Sequence, residues 1–166
     1  VIRQTPQDVK VTTFSTLLSR FKGDLTEQVR GAAQIKNLKD GDRVLIAEAC
    51  THHAIDEDIA RVKIPRGLKA STGKDLEIEY CTGRDFPQDL SKYALIINCG
   101  GCMITRKEML SRITEARRNE VAITNYGICI SYMQGVLERV LVPFQDVLKV
   151  YQRAGDNIRT ECLLQN

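Results

Sequence analysis

Apolar residues recur every three or four positions through Thr12–Phe21, "TTFSTLLSRF". Phe14, Leu17, Leu18 and Phe21 would share one face of a helix there, with Thr12 or Thr13 as its cap. Gly23 interrupts the pattern. Leu25–Leu38 predicts a second helix with Leu25, Val29, Ala32, Ala33 and Ile35 along one side, closed by the turn "KDGD" at Lys39–Asp42. The pattern then changes. "RVLIAEA" (Arg43–Ala49) is a short continuous apolar run and predicts a buried strand that ends at Cys50. Asp56–Ile64 reads as a helix with acids in its first turn and bases after them, stopped by Pro65 and Gly67. "LEIEY" (Leu76–Tyr80) alternates apolar and polar residues, which suits a strand at or near a sheet edge.

The second half repeats the scheme. "YALIIN" (Tyr93–Asn98) predicts another buried strand, ending at Cys99. Thr105–Asn119 predicts an amphipathic helix capped by Thr105, with Glu108 completing a capping box. Val121–Thr124 is a short strand. Gly127–Leu141 reads as one mostly apolar helix, and Pro143 opens a last one. Strands alternating with helices predict an α/β fold: a mainly parallel sheet flanked by helices, with any ligand site at the carboxyl ends of the strands. Cys50, Cys99 and Asn125 would then lie along one edge.

Composition narrows the function. The chain of 166 residues is long enough for one ordinary domain with a real core. A net charge of +3, few aromatics and no Trp argue against nucleic acid. No run approaches the length of a membrane span, and the first residues, "VIRQTPQDVK", lack the apolar segment of a signal peptide. The start reads like the middle of a protein, so a cytoplasmic fragment is the expectation. A candidate phosphate loop, "GLKASTGKD" (Gly67–Asp75), has the wrong glycine spacing and Asp after its Lys.

The chemistry rests on cysteines. Cys99 and Cys102 form a Cys-x-x-Cys across two glycines, and Cys50 precedes both histidines, His52 and His53. Without a secretory signal this spacing favours metal or redox chemistry over structural disulfides. Three assignments stay open on the residues alone. One is a structural zinc site at Cys50, His52, Cys99 and Cys102, in an interaction module. Another is an iron–sulfur cluster on three thiolates. The third is a dithiol oxidoreductase at Cys99/Cys102. The helix beginning near Thr105 would turn its positive end toward the loop, and Arg61, Lys63, Arg66 and Arg106 would add positive charge if their helices face it. Cys81, Cys129 and Cys162 read as structural, and His53 as a polar loop residue. Asp58 and Glu57 suit a helix cap as well as ligation.

The stretches "VTTFSTLLSRFKGDL", "LKDGDRVLIAEACTHH", "EDIARVKIPRGL", "CGGCMITRKEMLSRI" and "ITNYGICISYMQGVLERVL" resemble the C-terminal part of the HydF family, the GTPase maturases of [FeFe]-hydrogenase. The resemblance covers nearly the whole chain. It implies a [4Fe–4S] cluster on Cys50, Cys99 and Cys102 with an exchangeable fourth position. It also implies a scaffold role, in which a diiron precursor from two radical-SAM maturases is carried to the apo-hydrogenase. Residues 1–21 would be the end of a dimerisation domain and 22–166 the cluster domain, with a homodimer in the full-length protein. GTP would bind only in a domain outside this sequence, so the fragment itself would be no enzyme. The family often has His before the second cysteine. Here Asn98 stands there, which leaves His52 or Glu57 as the candidate fourth ligand.

Overall fold

The computed structural model describes residues 2–49, 58–83 and 85–163. Its four strands are β1 (Arg43–Glu48), β2 (Glu77–Thr82), β3 (Leu95–Asn98) and β4 (Ala122–Asn125). They lie in the order β2-β1-β3-β4, and every neighbouring pair is parallel. The helices are α1 (Phe14–Lys22), α2 (Leu25–Ala33), α3 (Ile64–Thr72), α4 (Arg106–Arg118), α5 (Tyr126–Met133), α6 (Leu137–Leu141) and α7 (Gln145–Leu163). This is the α/β architecture the alternating pattern predicts, with the alternating strand β2 at one edge.

The central strands are apolar over residues 44–47 and 95–97 because both of their faces are covered there. Val44 and Ile46 of β1, with Leu95 and Ile97 of β3, pack into a core shared with α2, α3, α5, α6 and α7. Leu45 and Ile96 face the opposite way, onto Met109, Ile113 and Ala116 of α4. Each of these six strand side chains is at most 1% exposed. Burial of one such side chain stabilises the fold by about 1.5–3 kcal/mol.

The helix after β1 and the helix after β4 differ in extent from the sequence reading. The helix expected to stop at Pro65 and Gly67 instead continues to Thr72. A π-helical turn at Ile59–Lys63 leads into α3, where Pro65 occupies the first turn and needs no hydrogen-bond donor. The stop is Gly73, whose φ of 69° accepts the left-handed cap. The single helix expected over Gly127–Leu141 is two, α5 and α6, broken at Gly135 with φ 66°.

The sequence pattern leaves the direction of the α1 apolar face open. That face points outward: Phe14 is 73% exposed and Phe21 72%. The buried side chains are Thr16 and Ser19. Small residues are required on this inner face because α1 runs close against α5. A Cβ placed on Gly127 would meet the Ser15 side chain at 2.1 Å. The Ser19 hydroxyl donates to Gln28 Oε1, which also accepts from Asn125 Nδ2 at 3.3 Å. Gln28, 1% exposed, thus ties α1 and α2 to the end of β4.

The tightest contact between α2 and the sheet is at Gly31. A Cβ there would lie 2.0 Å from the Ile123 carbonyl oxygen of β4, which is backbone and cannot rotate away. Gly31→Ala is expected to cost about 3 kcal/mol, the upper end for overpacking a closed core. The denaturation midpoint in urea measures it, and an unchanged midpoint would contradict this packing.

Candidate metal centre

The carboxyl edge of the sheet collects the ends of all four strands. Glu48 pairs in register with Thr82, Ala47 with both Cys81 and Asn98, and Asn98 with Asn125. Cys99 and Tyr126 follow directly after Asn98 and Asn125 at this edge.

Cys99 is fixed by the sheet on both sides of its backbone and side chain. Its N–H donates to the Ala47 carbonyl at 2.8 Å, continuing the β1–β3 ladder by one residue. Its Sγ accepts the N–H of Ala49 at 3.1 Å. The two cysteine stretches therefore meet: the residue immediately before Cys50 touches the Cys99 sulfur. Cys99 is half-buried and Cys102 exposed, and neither is in a disulfide.

The loop from Cys99 to α4 turns at Gly101, whose φ is 68°. A Cβ at Gly101 would meet Met109 Cε at 2.4 Å, whereas a Cβ at Gly100 would meet nothing within 4 Å among the described residues. Of the two glycines, Gly101 is the one that the backbone needs. Met109 is buried and lies beside Asn98 Nδ2 at 3.8 Å. Thr105 caps α4, its hydroxyl accepting from the Glu108 N–H at 3.2 Å. Glu108 points instead toward Arg112, at 3.4 Å, so the described contacts supply only one half of the expected capping box.

Charge around the edge is distributed differently from the expectation. Arg61 lies 3.5 Å from Glu48 and 4.7 Å from the centre of the Tyr80 ring. Lys63 and Arg66 line a separate groove between α3 and α5. Asp58 caps its helical turn, accepting from the N–H groups of Ala60 at 2.7 Å and Arg61 at 3.0 Å. Arg112 was not singled out in the sequence. Its guanidinium is buried, donates to the Gly83 carbonyl at 2.8 Å and stacks over Phe86.

Cys50, His52, His53 and Glu57 lie outside the described residues, as does the Cys162 side chain. Among the described residues no three His, Cys, Asp or Glu side chains group to hold a metal ion. The donors that are described fit a thiolate-bound centre on two observations. A backbone N–H is aimed at the Cys99 sulfur, the contact that offsets charge on a metal-bound thiolate. At the same edge, the Tyr126 hydroxyl is buried with no partner among the described residues. Burial raises its pKa, with Glu48 and Cys99 adding to the effect, so it stays a protonated donor.

Residues 26–143 match the family model described as the hydrogen maturase F tetramerization domain. The chain belongs to this HydF family. No curated protein matches the chain. Membership sets the chain in hydrogenase maturation, and the matched description attaches self-association to this region. No helix among the described residues is long and apolar enough to cross a membrane.

Two substitutions at the Cys-x-x-Cys separate its glycines. Gly101→Ala is expected to destabilise the fold by about 2 kcal/mol, from the left-handed backbone and the Met109 clash together. Gly100→Ala is expected to leave the thermal midpoint of the metal-free protein unchanged. Equal midpoints for the two variants would contradict this loop geometry.

Of the remaining described thiols, Cys129 is buried in the core and Cys81 is half-buried on β2. Burial pushes Cys81 up to about 11 and Cys129 up to about 12. Because the folded state holds these protons more tightly than the unfolded chain, their contribution to stability is complete below pH 9. It falls as pH rises toward 11. Peptide mapping after brief alkylation of the native metal-free protein at pH 8 should find both thiols unmodified. Rapid labelling of Cys81 would contradict its burial.

Proposed function

We propose that this chain is the cluster-carrying scaffold domain of a HydF-type maturase. Cys50, Cys99 and Cys102 would hold a [4Fe–4S] cluster, with His52 or Glu57 as the exchangeable fourth ligand. The observation that carries the reading is the Ala49 N–H on the Cys99 sulfur. It seats Cys99 beside the chain entering Cys50, at the open edge of a parallel sheet.

When bound, the cluster would supply an iron with an exchangeable position at which a diiron precursor can be held. The protein's own part is to place and shield the donors. The β1–β3 ladder fixes Cys99, and Gly101 lets the loop turn so that Cys102 stands at the surface. The α4 N-terminus favours an anionic centre. The precursor is cargo, received from radical-SAM maturases and passed to the apo-hydrogenase. An exposed Cys102 is consistent with a site that partners must reach. Localisation in the cytoplasm and a homodimer in the full-length protein belong to the same proposal, as does GTP binding by another domain. The carrier role asks for no turnover by this chain.

Anaerobic reconstitution with iron and sulfide tests the reading. About four irons per chain, with a broad absorption near ~400 nm, are expected for a thiolate-held cubane. Cys50→Ser, Cys99→Ser and Cys102→Ser should each abolish or strongly reduce that signal. A colourless protein holding one tight zinc would overturn the scaffold assignment in favour of an interaction module.

A further inference from the structure

The search for a second site leads back to the Cys102 loop from its other side. Lys22, the last residue of α1, places its ammonium nitrogen 3.2 Å from the Gly101 carbonyl oxygen, 3.1 Å from that of Cys102 and 3.2 Å from that of Ile104. An ammonium group has three donors and no acceptor, so three carbonyls saturate it. The carbonyls converge because Gly101 takes the left-handed conformation and the chain folds back, with the Ile104 N–H reaching the Gly101 carbonyl at 3.4 Å. Three carbonyl dipoles aimed at one point repel one another unless a cation sits there.

Lys22 is itself well placed. Gly23 ends α1, donating its N–H to the Ser19 carbonyl at 3.0 Å, and Ser19 is locked to Gln28. The lysine therefore reaches the loop from a helix that is fixed to α2 and α5.

We propose that Lys22 is a positioning residue for the Cys-x-x-Cys: it holds the loop in the shape that presents Cys102. Cys99 owes its place to the sheet. Among the described residues Cys102 has no ladder of its own, and the side chain that grips its backbone is Lys22. The proposal rests on the scaffold reading for the use made of Cys102, while the grip itself is a property of the metal-free protein.

The test compares wild type, Lys22→Met and Lys22→Arg. Methionine keeps much of the apolar stem and removes every donor; arginine keeps charge and donors. In metal-free protein, amide hydrogen exchange across residues 100–105 is expected to rise about tenfold or more in Lys22→Met, as for loss of charge-assisted hydrogen bonds. Exchange in α1 and α2 should stay as in wild type, and Lys22→Arg should recover most of the protection. After reconstitution, Lys22→Met should lose iron to a chelator several-fold faster than wild type.

Unchanged exchange in Lys22→Met would overturn the proposal, whatever the iron content. So would a rise spread equally over α1 and α2, or an arginine variant no better than the methionine one. Wild-type protein that takes up no iron, with the loop still loosened specifically by Lys22→Met, would refute the scaffold reading and leave the role of Lys22 standing.

Discussion

The parallel pairing of β1 with β3 is the constraint on which the described site depends. Parallel strands end at the same edge, so Ala49 and Cys99 are neighbours although fifty residues separate them. An antiparallel pairing would have sent the two cysteine stretches to opposite ends of the sheet. The pairing is held by side chains that have nothing to do with sulfur: Val44, Leu45 and Ile46 on one strand, Leu95, Ile96 and Ile97 on the other, all buried on both faces. The chemistry at the edge is therefore set by the apolar core, and the ladder carries that order one residue beyond β3, to the backbone of Cys99.

Cys99 and Cys102 are held by different physics. Backbone hydrogen bonding fixes the first. The second stands on a loop whose shape comes from a left-handed glycine, a methionine packed beneath it and a lysine gripping its carbonyls. A scaffold that must bind a centre firmly yet release cargo gains from this division. In the proposed scaffold the rigid donor would set the location, and the exposed donor on a loop would leave room for exchange.

Much of this was legible in the sequence. Continuous apolar runs announced β1 and β3, and alternation announced the edge strand β2. Thr105 announced the cap of α4. What the pattern could not give was direction. The 3–4 spacing of Phe14, Leu17 and Phe21 marks a helical face but says nothing about which surface that face meets. Here the serines and threonine face inward, because Gly127 admits α1 only at close range. Pro65 misled for a related reason: a proline in the first turn of a helix and one that ends a helix look alike until the preceding turn is known. Lys22 left no mark at all. A lone lysine at the end of a helix is the commonest of surface residues, and its partners are carbonyls that every sequence has.

The outward apolar face of α1 bears on how the domain associates. Phe14, Leu17 and Phe21 form an apolar stripe on a helix whose opposite side is already committed to α2 and α5. Among the described residues these side chains stay exposed. The family description attaches self-association to residues 26–143, and α1 lies just outside that span. The stripe and the Cys102 loop share one physical link, the lysine that ends the helix. A rigid-body shift of α1 would move the Lys22 ammonium relative to three carbonyls that have no other described cation between them. The loop's geometry is thus sensitive to the placement of α1, whereas Cys99, tied to β1 by its own backbone, is not.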